Sequence, residues 1–83
     1  MKLHISVEIR NGRSGVEARS PELKLTSHGL DEQEAMASLQ KGIIAWIEGL
    51  QSLDKLEQVI KSKQLKWESD GPSIIVEMEK ATI

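Results

Sequence analysis

A single amphipathic helix constrains this chain more than any other stretch. Met36, Leu39, Ile43, Trp46/Ile47 and Leu50 recur at steps of three and four, the spacing that lines side chains along one helical stripe. Leu30-Asp31-Glu32-Gln33-Glu34 supplies its start. Asp31 can accept from N–H groups of the first turn, while Glu34 reaches back to the Asp31 N–H. Asp31, Glu32 and Glu34 also suit the positive end of the helix dipole. A helix over 32–50 with one apolar stripe needs an apolar bed, and the flanking residues must provide it.

The amino-terminal segment reads as that bed. Leu3, Ile5, Val7 and Ile9 alternate with Lys2, His4, Ser6, Glu8 and Arg10. This period of two predicts a strand over 3–10 with one face buried. Asn11-Gly12 and Gly15 predict a hairpin loop of more than two residues. Val16 and Ala18 return in a strand over 15–20, and Pro21, which lacks an N–H, ends the pairing. Leu23 and Leu25 share a face of a third strand near 24–28. Gly42 costs about 1 kcal/mol relative to Ala inside a helix, and close approach to a strand or another helix would account for it. Ile44 lies off the stripe; with Trp46 on the other flank, it hints at more apolar surface than one sheet needs.

Beyond the helix, Gly49 and Ser52 weaken the pattern. Asp54-Lys55-Leu56-Glu57 repeats the start signal, so residues 54–64 read as a second helix, or as the far half of one bent helix. Leu65 and Trp67, then Ile74, Val76 and Met78, predict a terminal hairpin with strands over 65–69 and 73–80, turning at Asp70-Gly71-Pro72. The element order is β-β-β-α-(α)-β-β. The fold class is α+β, a two-layer sandwich whose mainly antiparallel sheet carries the main helix on one face. The first strand, the longest and most regular, belongs at the centre.

Composition narrows the function classes. At 83 residues the chain is one domain with a stability on the order of 5 kcal/mol. It has no Cys, and Trp46 and Trp67 are its only aromatics, so Leu, Ile and Val must fill the core. Self-association is a natural route to stability for such a domain. A formal charge of −2 runs against general nucleic-acid binding, which uses a basic surplus. No apolar run reaches the roughly 20 residues of a membrane span. Met1-Lys2-Leu3 opens straight into the alternating pattern with no signal segment, so the cytoplasm is the expected location.

Candidate chemistry is sparse. His4 falls on the polar face of the first strand and His28 beside Gly29 in a turn; solvated roles suffice for both. The spacings of a His-rich metal site, a Ser/His/Asp triad or a phosphate loop do not occur. Glu17, Glu22, Asp31, Glu32 and Glu34 invite a carboxylate metal cluster, but Asp31 and Glu34 already serve the helix start. The expectation is therefore no catalytic residue, no cofactor and no metal. Lys55, Lys61, Lys63 and Lys66 gather basic charge near the second helix. A solvated face and dipole complement explain them, with a phosphate-contacting strip as the alternative.

Pro21-Glu22-Leu23, then Gly29, then Asp31-x-x-Glu34-Ala35-Met36-x-x-Leu39, preceded by well-spaced strands, resembles the HicB-like antitoxin family over about the first fifty residues. The resemblance implies a partial ribonuclease-H-like sandwich without that enzyme's active site. It implies dimers or tetramers, and a small basic messenger-RNA-cleaving toxin as partner, whose catalytic His the antitoxin covers. Two departures stand out. The aromatics frequent around the family's second strand are replaced by Val16-Glu17-Ala18-Arg19, and no residues follow Ile83 to form the DNA-binding domain that many members carry. The resulting expectation is a non-catalytic binding module acting by occlusion, with Ile44, Trp46, Pro21 and Glu22 as its candidate partner or oligomer surface. The alternatives are a self-associating structural domain and a weak RNA-binding module using Lys55–Lys66.

Overall fold

The computed structural model describes residues 1–69, 71 and 73–80. Its elements are β1 (Lys2–Gly12), β2 (Gly15–Ser20), β3 (Leu25–Gly29), α1 (Glu32–Ser52), α2 (Leu56–Ser62), β4 (Lys66–Glu68) and β5 (Ile75–Lys80). The layout is the α+β sandwich expected from the patterning. Along one path the sheet runs β3-β2-β1-β4, and β5 also pairs with β1. β1 is the hub, antiparallel to β2 and β4 and parallel to β5.

The odd residues of β1 do what the period of two demands. Leu3, Ile5 and Val7 are buried to within 1% of completely. They meet Ala35, Leu39, Ile43 and Ile47 of α1, each likewise at most 1% exposed. Met36, Ile44, Trp46 and Leu50 flank that row, partly buried against the same core. Ile44 therefore finds partners within the chain, although the helical spacing alone gives it none.

Local chemistry explains the boundaries. Asp31 caps α1, its Oδ1 accepting from Glu34 N at 2.8 Å. Glu34 reaches one residue further back than the capping-box pattern predicts, with Oε1 accepting from Leu30 N at 3.4 Å. Asp54 does not cap the second helix. It takes φ +58°, while Lys55 N donates to Leu50 O and Asp54 N to Gln51 O. These two bonds are a Schellman motif that ends α1 and separates the helices. α2 ends the same way: Gln64 takes φ 54°, Leu65 N donates to Ile60 O and Gln64 N to Lys61 O. Gly normally fills that position, because a side chain there costs about 1 kcal/mol or more.

Three details depart from the sequence expectations. The first hairpin loop is only Arg13-Ser14, since Gly12 pairs with Gly15; Gly15, at φ +142°, carries the ladder right up to the turn. Leu23 is buried but lies in the turn before β3, because Lys24 at φ 56° breaks the alternation. β4 and β5 do not form a hairpin. Both pair with Lys2–His4 of β1, so they lie on its opposite edges, and Met1 N clasps the connection between them by donating to Gly71 O and Ser73 O. Of the expected turn, Asp70 and Pro72 lie outside the described residues, while Gly71 has φ +72°.

Gly42 is not a point of close approach. A Cβ built there meets nothing within 4 Å. Gly42→Ala should therefore raise stability by about 1 kcal/mol through helix propensity alone. Gln64→Gly should gain a similar amount by relieving the left-handed backbone. Thermal melts followed by circular dichroism check both, and an unchanged or lower midpoint would contradict the open space at Gly42.

Candidate functional site

Among the described residues, the two larger recesses lie on different sides of the sheet. The larger, about 410 Å³, opens on the helical side where α2 meets the start of β1. α2 spans only seven residues, so its buried Leu56 and Ile60 leave part of the sheet uncovered. Trp67 pairs with Leu3 and so stands on the core face, yet it stays 44% exposed. Met1, Leu56, Ile60 and Trp67 give the recess apolar walls, and Asp54, Glu57 and Lys61 line it with charge.

The smaller recess, about 230 Å³, lies over β1 and is lined by His4, Ser6, Glu22, Gln64, Lys66 and Glu79. Strand pairing assembles it. The register sets His4 against Lys66 of β4 and Glu77 of β5, Ser6 against Glu79, and Lys2 against Glu68. Directly paired residues share a face, so carboxylates from two strands distant from β1 in sequence converge on His4. His4 Nε2 is 3.6 Å from Glu68 Oε1, and His4 Nδ1 is 4.0 Å from Glu77 Oε2. Ser6 falls between the β2 and β4 ladders, and its N–H donates to Glu22 Oε2 at 3.0 Å. Glu22 Oε1 and Ser20 Oγ are buried without a hydrogen-bond partner.

Lys2 Nζ stands 2.9 Å from Glu77 Oε2. That hydrogen bond, and then the Lys2 charge itself, hold Glu77 below its ordinary value of 4.5, with a smaller contribution from His4 and against a weak burial effect. A lowered carboxylate pKa stabilises the fold above its unfolded value, and the gain disappears as pH falls through the folded value. The melting-temperature gap between wild type and Glu77→Gln should thus be widest near neutrality and close below pH 4.5. A gap that stays constant down to acid pH would show that the Lys2 pair adds nothing. The effect is small because both side chains are partly solvated.

The other sequence candidates scatter. Ile44 and Trp46 lie on α1, packed partly into the core. Pro21 and Glu22 are partly buried in the β2–β3 turn, and Glu22 alone of these four reaches a recess. Lys61 lines the Trp67 recess and Lys66 the His4 recess, while Lys55 and Lys63 line neither. Lys61 also pairs with Glu57 at 3.6 Å. His28, 75% exposed at its side chain, stands 4.0 Å from Glu17. Among the described residues no three His, Asp or Glu side chains are placed to hold a metal ion, and no helix is long and apolar enough to cross a membrane.

Compared with protein-family models, curated proteins and solved structures, the chain matches none of them.

The sequence pattern puts His4 and Glu77 on outward faces of their strands but does not contain the register that joins them. The exposure of Trp67 is equally hidden, because it depends on how far α2 extends over the sheet.

Proposed function

We propose that this chain is a non-catalytic, HicB-like protein-binding module that sets its uncovered sheet face against a small basic protein and acts by occlusion. The observation that carries this reading is the gathering of Glu68, Glu77 and Glu79 around His4. With Glu22 they outnumber Lys2 and Lys66 on the same patch. A surplus of carboxylates on an exposed face steers a basic partner and rejects an acidic one. The resemblance at Pro21-Glu22-Leu23 and Asp31-x-x-Glu34 adds a class for that partner, a ribonuclease toxin, with the cytoplasm as the place of encounter.

The RNA-binding alternative has less support. Lys55, Lys61, Lys63 and Lys66 do not line a common recess, and Asp54, Glu57 and Glu79 stand beside the two lysines that do line one.

Co-expression with each small basic protein encoded by a neighbouring gene, followed by affinity capture, tests the reading. A stable complex should form, weaken as salt is raised, and lose at least about tenfold in affinity in Glu68→Lys/Glu79→Lys. Absence of a complex, together with unrelieved toxicity of the basic protein, would overturn it.

A further inference from the structure

The outer edge of β5 is open. Among the described residues its strand, Ile75–Lys80, pairs only with β1, in the parallel register from Lys2↔Ile75 to Val7↔Lys80. Ile75 N donates to Met1 O at 2.8 Å, and the backbone groups of successive residues point to alternate sides of a strand. Ile75, Glu77 and Glu79 therefore bond to β1, while Val76, Met78 and Lys80 aim their N–H and C=O groups away from the sheet. An edge of this kind templates pairing with another chain, and proteins blunt it with short strands, proline, bulges or lysine. β4 is blunted by its length of three residues. β5 uses none of these devices. It contains no Pro, its register with β1 skips no residue, and its lysine turns to the helical side, where Lys80 Nζ pairs with Glu32.

We propose that this edge takes up an extended segment of a partner protein as an added strand, and that the segment alternates apolar with basic residues. The inference rests on the reading of the partner as basic and specifies how that partner attaches. In strand addition main-chain bonds supply affinity and alternate side chains supply specificity. Val76 is buried and Met78 partly buried on the helical side, so the side chains that the added strand sets beside them are apolar. Glu77 and Glu79 stand on the outward side. Lys2 already holds Glu77, whereas Glu79 has no cationic partner among the described residues. A Lys or Arg opposite Glu79 gains a cross-strand ion pair. A second copy of this chain does not fit. Two β5 strands paired antiparallel set Glu77 against Glu79, or one of them against its own counterpart, and like charges directly opposite one another are destabilising.

Amide hydrogen exchange, read residue by residue, tests the proposal with two synthetic peptides, one alternating valine with lysine and one alternating valine with glutamate. In the chain alone, Val76 and Met78 should exchange fast, and Glu77 and Glu79 slowly. The lysine peptide should slow Val76 and Met78 by about tenfold or more, and the glutamate peptide should leave them unchanged. Met78→Pro removes an outward N–H, a place where an edge strand accepts proline, and should abolish the protection of Val76 while circular dichroism stays native. Glu79→Lys, at an exposed position, keeps the fold in any case and should reverse the preference between the peptides. Slow exchange of Val76 and Met78 without peptide, no protection by the lysine peptide, or equal protection by both overturns the proposal. The binding reading fails separately. A basic protein that binds Met78→Pro as tightly as wild type sits on the sheet face alone, which upholds that reading and overturns strand addition. Protection by the lysine peptide where no neighbouring basic protein binds upholds the edge and removes only that protein.

Discussion

Ile43→Asp is expected to leave the chain unfolded at room temperature. Ile43 is fully buried at the middle of the α1 row, between Leu39 and Ile47 and facing the odd residues of β1. Truncating a buried Ile alone costs about 2–5 kcal/mol through lost transfer energy and the cavity left behind. An ionised carboxylate there adds a burial penalty of several kcal/mol unless it takes up a proton, since no cationic side chain belongs to this core. A domain of this size holds on the order of 5 kcal/mol, so the substitution exceeds what the fold can absorb. The amide spectrum should collapse to random-coil dispersion and the cooperative melt should vanish. Lys41→Asp, two residues away on the exposed side of the same helix, controls for charge and should fold. A cooperative melt of Ile43→Asp within a few degrees of wild type would mean that α1 does not lie on the sheet by this face.

Most of that packing is legible in the sequence because periodicity reports burial directly. A period of two in Leu3–Ile9 and steps of three and four in α1 identify the two faces that meet. Side-chain pattern says much less about connections. Asp54 and Glu57 form as good a start signal as Asp31 and Glu34, yet Asp54 ends α1 in a left-handed turn. The same two residue types serve either purpose, and only the bonds from Lys55 to Leu50 and from Asp54 to Gln51 decide between them. Leu65–Trp67 and Ile74–Met78 read correctly as extended segments. Their separation by a short turn nevertheless suggested a hairpin, although β1 takes one on each edge. Long-range pairing is set by the whole sheet, not by the local turn residues. The His4 patch depends entirely on that pairing, which is why the carboxylates around His4 could not be grouped in advance. Gly42 errs in the opposite direction: a residue that invites a packing explanation sits in open space.

Gly29→Ala is the second substitution with a large expected effect. Gly29 ends β3, pairs with Val16, and passes beneath the first turn of α1. It does not have a positive φ, so conformational freedom is not the reason a glycine stands there. A methyl group at this position would strike the backbone N of Ala35 and lie 2.8 Å from the backbone carbon of Glu34, with Glu34 Cβ at 2.9 Å. Two of these three neighbours are main-chain atoms of a capped helix, so no rotamer change relieves the overlap. The helix start would have to lift off the strand, pulling the buried Ala35 and the Asp31 cap with it. Overpacking of this kind costs about 3 kcal/mol, more than half of the expected stability. The melting midpoint should fall by well over ten degrees, given the shift of roughly 4–8 °C per kcal/mol typical of small domains. Gly12→Ala makes the comparison clean, because its added Cβ would meet only Gly15 O at an ordinary 3.6 Å. If Gly29→Ala melts as Gly12→Ala does, α1 must sit farther from β3 than this packing requires. The spacing from Gly29 to the Asp31 cap, on which the family resemblance partly rests, would then have no steric cause.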